Sequence, residues 1–225
     1  MKKLLYGAPA TTVIALLCAG VFVLTALQSR SVSDVVWGSG IGSTFVLWGP
    51  AVTASDTGIL RALTAGFLHV DISHLAVNLI TLVFIGAVVE RAVGTGPYVV
   101  AYLAGVLGGS AAVLTFAWDQ PTAGASGALY MLMAILVGIA ARSRADLRAP
   151  LVLVLGNIAY TLLSPGVSLW GHLGGLTVGA LMAGPLTSPD ERVRWSGAMG
   201  GLVLALAAVL VPQWGSAQAS TLLHT

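Results

Sequence analysis

Charged side chains are scarce in this sequence, and their scarcity excludes the ordinary soluble domain. Lys and Arg number 10 and Asp and Glu 8 among 225 residues, so that 8% of the chain is charged, whereas soluble domains average about 25%. The net charge of +2 is too small to favour nucleic-acid binding. Hydrophobic residues make up 57% of the chain, and the mean hydropathy is +0.94. These values indicate an integral protein of the lipid bilayer.

Other missing residues exclude disulfides and several classes of membrane protein. The single cysteine, Cys18, rules out an intramolecular disulfide. No Asp or Glu lies in the middle of an apolar run, which excludes an intramembrane aspartyl protease. The two lysines, Lys2 and Lys3, stand at the N-terminus, so no lysine is placed to carry a retinal Schiff base. The HExxH motif of zinc proteases is absent, and we expect neither a metal nor a cofactor.

The apolar runs predict an all-α bundle of seven membrane spans. A helix needs about 20 apolar residues to cross the hydrocarbon core, and the 28 glycines fit close helix packing in lipid. The predicted spans are 8–28, 70–90, 97–117, 126–141, 149–164, 170–187 and 196–212, of which the fourth and fifth are short.

These spans divide the chain into four parts. Residues 1–28 form the first transmembrane helix, 29–69 an outer-side loop, 70–187 the core of the bundle, and 188–225 an extra helix with a short tail. The loop is too long for a simple connector. An alternative treats 1–28 as a cleaved signal peptide because its start is basic. Against that alternative, the apolar run is long and Leu27-Gln28 offers no small-residue cleavage site.

The distribution of Lys and Arg predicts the orientation, because cytoplasmic loops carry an excess of both. With the N-terminus in the cytoplasm and the C-terminus outside, eight basic residues fall inside and two outside. The inside set is Lys2, Lys3, Arg91, Arg142, Arg144, Arg148, Arg192 and Arg194, and the outside set is Arg30 and Arg61. The basic start and the short loops suit a bacterial inner membrane.

The polar residues that remain near the spans fall at one depth. His74 and Asn78 lie near the outer end of the second span, Ser126 at the outer end of the fourth, and His172 at the outer end of the sixth. Polar and ionisable groups at membrane depth are costly and usually functional. A serine and a histidine at the same depth predict a nucleophile and its general base. His74 and Asn78, four residues apart on one helical face, could instead serve only to link helices.

Three short motifs, in this order, resemble those of the rhomboid family of intramembrane serine proteases. The resemblance covers about residues 60–179 and implies a rhomboid-like bundle of six helices, to which 196–212 adds a seventh. The motifs are His69-Val-Asp-Ile-Ser-His74-Leu-Ala-Val-Asn78, Gly124-Ala-Ser126-Gly127 and Gly171-His172-Leu-Gly-Gly175.

The resemblance implies a role for each polar residue. Ser126 would be the nucleophile and His172 the general base. The oxyanion hole would come from His74, Asn78 and the backbone N–H of Ser126. Tyr130, one turn after Ser126 on the same face, would pack on the catalytic histidine. No acid is placed to orient that histidine, so we expect a dyad.

Smaller features of the resemblance concern the backbone and the loops. Gly124 and Gly127 would let the chain turn sharply and let a substrate backbone come close. Arg61 matches the arginine of a family Trp-Arg pair, with Leu60 in place of the tryptophan. The 163–169 loop, in which Pro165-Gly166 is a turn signal, corresponds to a lid over the site.

The resemblance implies an endopeptidase that cuts in or near the outer end of a transmembrane segment. Its partners would be membrane-protein substrates and the bilayer, without nucleic acid or metal. One alternative is a catalytically inactive relative that binds transmembrane segments. Another is a transporter or channel, against which the sequence shows no mid-membrane charge and no pair of broken, inverted helices.

Overall fold

The computed structural model describes residues 6–164 and 166–223, with side chains as far as residue 211. Lys2, Lys3 and Pro165, which entered the predicted orientation and the predicted lid, lie outside the described residues. The described chain is helical. Its helices are α1 (Pro9–Ser29), α2 (Gly40–Phe45), α3 (Gly49–Thr53), α4 (Gly58–Phe67), α5 (Ile72–Val93), α6 (Thr95–Phe116), α7 (Ser126–Arg142), α8 (Arg148–Leu163), α9 (Leu169–Leu186) and α10 (Glu191–Leu223).

The lengths of these helices agree with a membrane bundle. Within the described chain, four helices are long and apolar enough to cross a membrane: α1, α5, α6 and the Glu191–Val211 part of α10. Helices α7 and α8 are shorter, at 17 and 16 residues. The prediction of an all-α membrane protein is confirmed, while the count of six spans plus one stays a prediction. Helix α10 is longer than the predicted span 196–212: it starts at Glu191 and continues to Leu223.

Glycines bring α6, α7 and α9 together at the centre of the bundle. A Cβ on Gly109 of α6 would lie 2.8 Å from the carbonyl oxygen of Gly171 and 3.3 Å from the Cα of Gly127. A Cβ on Gly175 of α9 would overlap the carbonyl oxygen of Gly127. Backbones approach this closely only where side chains are missing. The crossing therefore fixes the start of α7 against the start of α9.

Backbone hydrogen bonds tie the 30–67 segment to the loop between α6 and α7. Leu47 and Thr122 form an isolated antiparallel bridge, with N···O distances of 3.0 and 2.8 Å. The N–H of Gly49 donates to the carbonyl of Trp118 at 3.0 Å. Residues 117–125 form no helix, so these bonds position the chain that leads into α7.

The 30–67 segment also carries exposed aromatic rings and an arginine that bonds to the segment's own backbone. Trp37 and Trp48 are 57% and 38% exposed, as expected of aromatic residues at a membrane interface. The half-buried Arg61 ties α4 to the chain before it, because its guanidinium donates to the carbonyls of Ser43 and Val46 at 3.1 and 2.9 Å. Leu60, the residue before it, is 54% exposed.

Glu90, near the end of α5, caps the start of α1. Its carboxylate is buried and accepts from the backbone N–H groups of Ala10 and Thr11 at 2.9 and 2.7 Å. The hydroxyls of Thr11 and Thr95 donate to the same carboxylate at 2.7 and 2.9 Å. A carboxylate at a helix N-terminus satisfies the free N–H groups and complements the helix dipole. Glu90 therefore joins α1 to α5 and α6.

Replacing Glu90 by glutamine is expected to destabilise the bundle by about 3 kcal/mol, because a buried amide cannot accept from four donors and would turn an NH₂ group toward two of them. The measurement is equilibrium unfolding in mixed detergent micelles. Glu191→Gln is the matched control, since Glu191 is an exposed acid in the first turn of α10. Equal stability of the two variants would contradict a capping role for Glu90.

Candidate active site

A cavity of about 500 Å³ lies where α5, α7 and α9 begin. Its walls include exposed loop residues such as Pro121 and Gly166, so it communicates with the surroundings of the protein. A volume of this size suits a ligand or a short peptide segment. The lining includes every residue that the sequence singled out for chemistry: His74, Asn78, Gly124, Ser126, Gly127, Tyr130 and His172.

Ser126 is the first residue of α7, and the chain reaches it through a turn that requires glycine. Gly124 has a φ of +134°, a conformation that side chains rarely adopt. Ala125 at the N-cap has no polar side-chain atom, and the first helical hydrogen bond in this turn is donated by Leu129. The N–H groups of Ser126 and Gly127 are therefore left for another acceptor. A helix start of this kind favours negative charge.

His74 lies next to Ser126 across Gly124. The position of a Cβ on Gly124 is 2.9 Å from His74 Nε2 and 3.7 Å from Ser126 Oγ. A side chain at residue 124 would thus collide with the imidazole ring. The N–H of Gly124 donates to the carbonyl of Ala65 at 2.9 Å, which holds the turn in place. Gly124 keeps the space between His74 and Ser126 open.

His172 is held on one face by a tyrosine and at one nitrogen by a threonine. The ring of Tyr130 stacks on the imidazole with a centroid distance of 4.1 Å and an interplanar angle of 17°. Thr161 Oγ1 lies 2.7 Å from His172 Nδ1 and 2.7 Å from the Tyr130 hydroxyl. All three side chains are buried. The sequence prediction included the tyrosine and missed the threonine.

Ser126 and His172 face the same cavity without a direct bond in this state. No hydrogen bond joins Ser126 Oγ to the imidazole within the described part of the chain. Catalytic hydrogen bonds are often long without substrate and tighten when it binds. His172 is 7% exposed and its Nδ1 is engaged by Thr161, so Nε2 is the nitrogen left for the cavity.

Asn78 has one amide hydrogen engaged and one left over. Its Nδ2 donates to the carbonyl of His74 at 2.8 Å, one helical turn earlier. An amide carries two such hydrogens, and Asn78 lines the cavity. Among the described residues, Asn78 Oδ1 and His74 Nδ1 have no hydrogen-bond partner.

His69 and Asp71 belong to the same motif as His74, but neither forms a hydrogen bond with Ser126 or His172 among the described residues. His69 packs edge-on against His74 at 5.2 Å, and burial, together with the charge of His74, lowers its pKa to about 3. Asp71 caps α5 by accepting from the backbone N–H of His74 at 2.8 Å. Partial burial acts to raise the pKa of Asp71, but hydrogen bonds from Ser73 and His74 lower it below its usual value. His69 is thus a neutral packing residue, and the hydrogen bonds of Asp71 go to α5 rather than to His172.

The match to known families covers this region of the chain. Residues 56–189 match the model of the Rhomboid domain. This range contains helices α4 to α9 and all three sequence motifs whose residues line the cavity. The chain belongs to the rhomboid family. The expected family is thereby confirmed.

Curated rhomboids are similar to a little more than half of the chain. Rhomboid protease GluP of Bacillus subtilis is 34% identical over 134 residues, which are 57% of this chain and 26% of that protein. RHOMBOID-like protein 4 of Arabidopsis thaliana is 32% identical over 129 residues, or 54% of this chain and 32% of that protein. Rhomboid-type serine protease 2 of Emericella nidulans is 33% identical over 142 residues, which are 56% of this chain and 27% of that protein. The chain thus matches about a quarter to a third of the length of these rhomboids, two of which are named as proteases.

Proposed function

We propose that this rhomboid is an intramembrane serine endopeptidase that hydrolyses a peptide bond in or near the outer end of a transmembrane segment. One observation carries the proposal. Ser126 stands at an uncapped helix start, in a cavity that also holds a buried histidine stacked on Tyr130. A nucleophile, a base and free N–H donors within one cavity are the parts that acyl transfer needs.

The first step makes an acyl-enzyme. Ser126 Oγ attacks the carbonyl carbon of the scissile bond while its proton passes to His172 Nε2. The carbonyl electrons move onto the oxygen. When the tetrahedral intermediate collapses, the C–N bond breaks and the imidazolium gives its proton to the leaving amine. The new ester links the substrate to Ser126.

The oxyanion formed in that step would be stabilised by three hydrogen-bond donors of the cavity. They are the backbone N–H of Ser126, the free amide hydrogen of Asn78 and Nε2–H of His74, whose Nε2 edge lies beside Gly124. Donors of this kind contribute about 10²–10³ in rate each. The helix start at Ser126 adds a favourable field.

Water completes the reaction. It reaches the ester through the cavity, where non-helical backbone borders polar space rather than lipid. His172 takes a proton from the water while the water oxygen bonds to the acyl carbon of the ester. When the resulting tetrahedral intermediate collapses, the bond from that carbon to Ser126 Oγ breaks and the imidazolium returns its proton to the serine oxygen. The substrate is released with a free carboxylate.

The site implies partners and a location. The substrates are membrane proteins whose transmembrane segments approach sideways through the bilayer to a cavity that Ser164, Gly166 and Ser168 help to line. The orientation follows the basic residues, with the N-terminus in the cytoplasm of a bacterial cell and the C-terminus outside. In this arrangement 70–187 is the catalytic core and α10 is a seventh span added to six.

The test is cleavage of a single-span membrane protein by the purified chain in liposomes, together with labelling by a fluorophosphonate. We expect one cut near one end of the substrate's span and one adduct, mapped to Ser126 by mass spectrometry. The cavity offers matched internal controls, because four other serines line it: Ser73, Ser110, Ser164 and Ser168.

Three results would contradict the proposal. An adduct on another cavity serine would overturn the assignment of the nucleophile. Binding of transmembrane segments without cleavage and without any adduct would indicate an inactive relative. Movement of a solute across the liposome membrane would indicate a transporter.

A further inference from the structure

Thr161 makes three short contacts through one oxygen atom. Its Oγ1 lies 2.9 Å from the backbone carbonyl of Asn157, 2.7 Å from the hydroxyl of Tyr130 and 2.7 Å from Nδ1 of His172. Thr161 is 4% exposed, so water does not compete for these contacts. A threonine hydroxyl has one hydrogen to give and two lone pairs to receive. The three contacts therefore constrain where every hydrogen lies.

Only one assignment turns all three contacts into hydrogen bonds. The carbonyl of Asn157 has no hydrogen, so the threonine must give its single hydrogen there. The hydroxyl of Tyr130 and Nδ1 of His172 must then both donate to Thr161 Oγ1. Any other direction leaves two acceptors facing each other in a buried site, which is costly.

We propose that Thr161 is a positioning residue that fixes His172 in the tautomer with its hydrogen on Nδ1. Nε2 then carries a lone pair toward the cavity, which is the form that can take a proton from Ser126. In a catalytic triad a carboxylate accepts this hydrogen from Nδ1 and fixes the tautomer of the histidine. Here the acceptor is the neutral hydroxyl of Thr161. The inference rests on the proposed function, because Thr161 affects catalysis only if His172 is the general base.

The residue stands on a helix that otherwise contributes little to the interior. Thr161 and Val154 are the buried residues of α8 among those the structure describes, and Leu155, Leu162 and Leu163 are more than half exposed. The orientation of the base therefore depends on a helix whose surface mainly faces lipid. Displacing α8 would release Nδ1 and let the imidazole change tautomer.

The test compares Thr161→Val, which keeps the shape and removes the oxygen, with Thr161→Ser, which keeps the oxygen. The first readout is the tautomer of His172 in the full chain labelled with ¹⁵N-histidine, with its signals identified by their loss in His172→Gln. We expect Nδ1–H in the unaltered protein and in the serine variant, and a mixture of tautomers in the valine variant. The second readout is cleavage, in which kcat of the valine variant should fall about 10–100-fold with little change in KM.

Thr177→Val is the matched control, because Thr177 is also a back-bonded helix threonine, with Oγ1 2.8 Å from the carbonyl of Leu173, but is exposed on α9. It should leave the tautomer and kcat unchanged. The inference would be overturned if His172 kept the Nδ1–H tautomer in Thr161→Val. It would also be overturned if His172 lost that tautomer in Thr161→Ser. If no variant cleaves anything yet the tautomer depends on Thr161, the positioning role stands and the proposed protease activity falls.

Discussion

Ser126→Ala, His172→Ala and the double variant are expected to cleave a transmembrane substrate at one common residual rate, about 10⁴–10⁶-fold below that of the unaltered protein. The reason is that, in the proposed dyad, the serine and the histidine act as one unit. Without the imidazole the serine hydroxyl keeps its proton, and without the hydroxyl the imidazole has no proton to take. Removing the second partner therefore costs almost nothing further. The measurement is kcat for all three variants in the same liposomes.

Ser196→Ala is the control for these substitutions, because Ser196 is an exposed serine of α10 that bonds to its own helix at Arg192. It should cleave at the normal rate. Losses that multiply in the double variant would mean that Ser126 and His172 act independently, which the proposed dyad does not allow. A normal rate in Ser126→Ala would end the serine mechanism altogether.

Gly175→Ala is expected to have the next largest effect, although it adds only a methyl group. The new Cβ would overlap the carbonyl oxygen of Gly127 and lie 2.6 Å from its carbonyl carbon. These are backbone atoms, so α7 and α9 must separate. Ser126 precedes Gly127 directly and His172 lies one turn before Gly175, so the separation displaces both. Misplacement by about 1 Å can cost about 10²-fold in rate.

The same substitution should also lower the free energy of unfolding by about 1–3 kcal/mol, as overpacking does in other well-packed cores. Cleavage rate and unfolding in mixed micelles are the two measurements. Gly184→Ala on the same helix is the control, because no atom lies within 4 Å of its added Cβ. If both alanine variants behave alike, the glycine crossing does not set the geometry of the cavity.

The sequence predicted where along each helix the polar residues lie, because hydropathy sets the ends of the apolar runs. The first span was predicted at 8–28 and the helix is Pro9–Ser29. Helix periodicity also predicted that Tyr130 shares a face with Ser126, and both line the cavity. These features depend on short stretches of chain, which is why a single sequence contains them.

Features that depend on how helices rotate against one another were not predictable. Thr161 looks like many threonines in apolar helices, which bond to their own backbone, and nothing local indicates that it faces His172. Glu90 was placed at a span end, but its contact with Thr11 joins residues 79 positions apart. The backbone bonds of Leu47 and Gly49 likewise join residues about 70 positions apart, to Thr122 and Trp118.

The backbone bridge between Leu47 and Thr122 lies partly outside the matched domain, because Leu47 precedes the first residue that matches the family. The region shared with the family starts at residue 56. A chain trimmed to that point would keep every proposed site residue. It would lose the three backbone hydrogen bonds that Leu47 and Gly49 share with Thr122 and Trp118, just ahead of Ser126. The matched domain is therefore shorter than the part of the chain that holds the approach to Ser126, because Leu47 and Gly49 lie before residue 56.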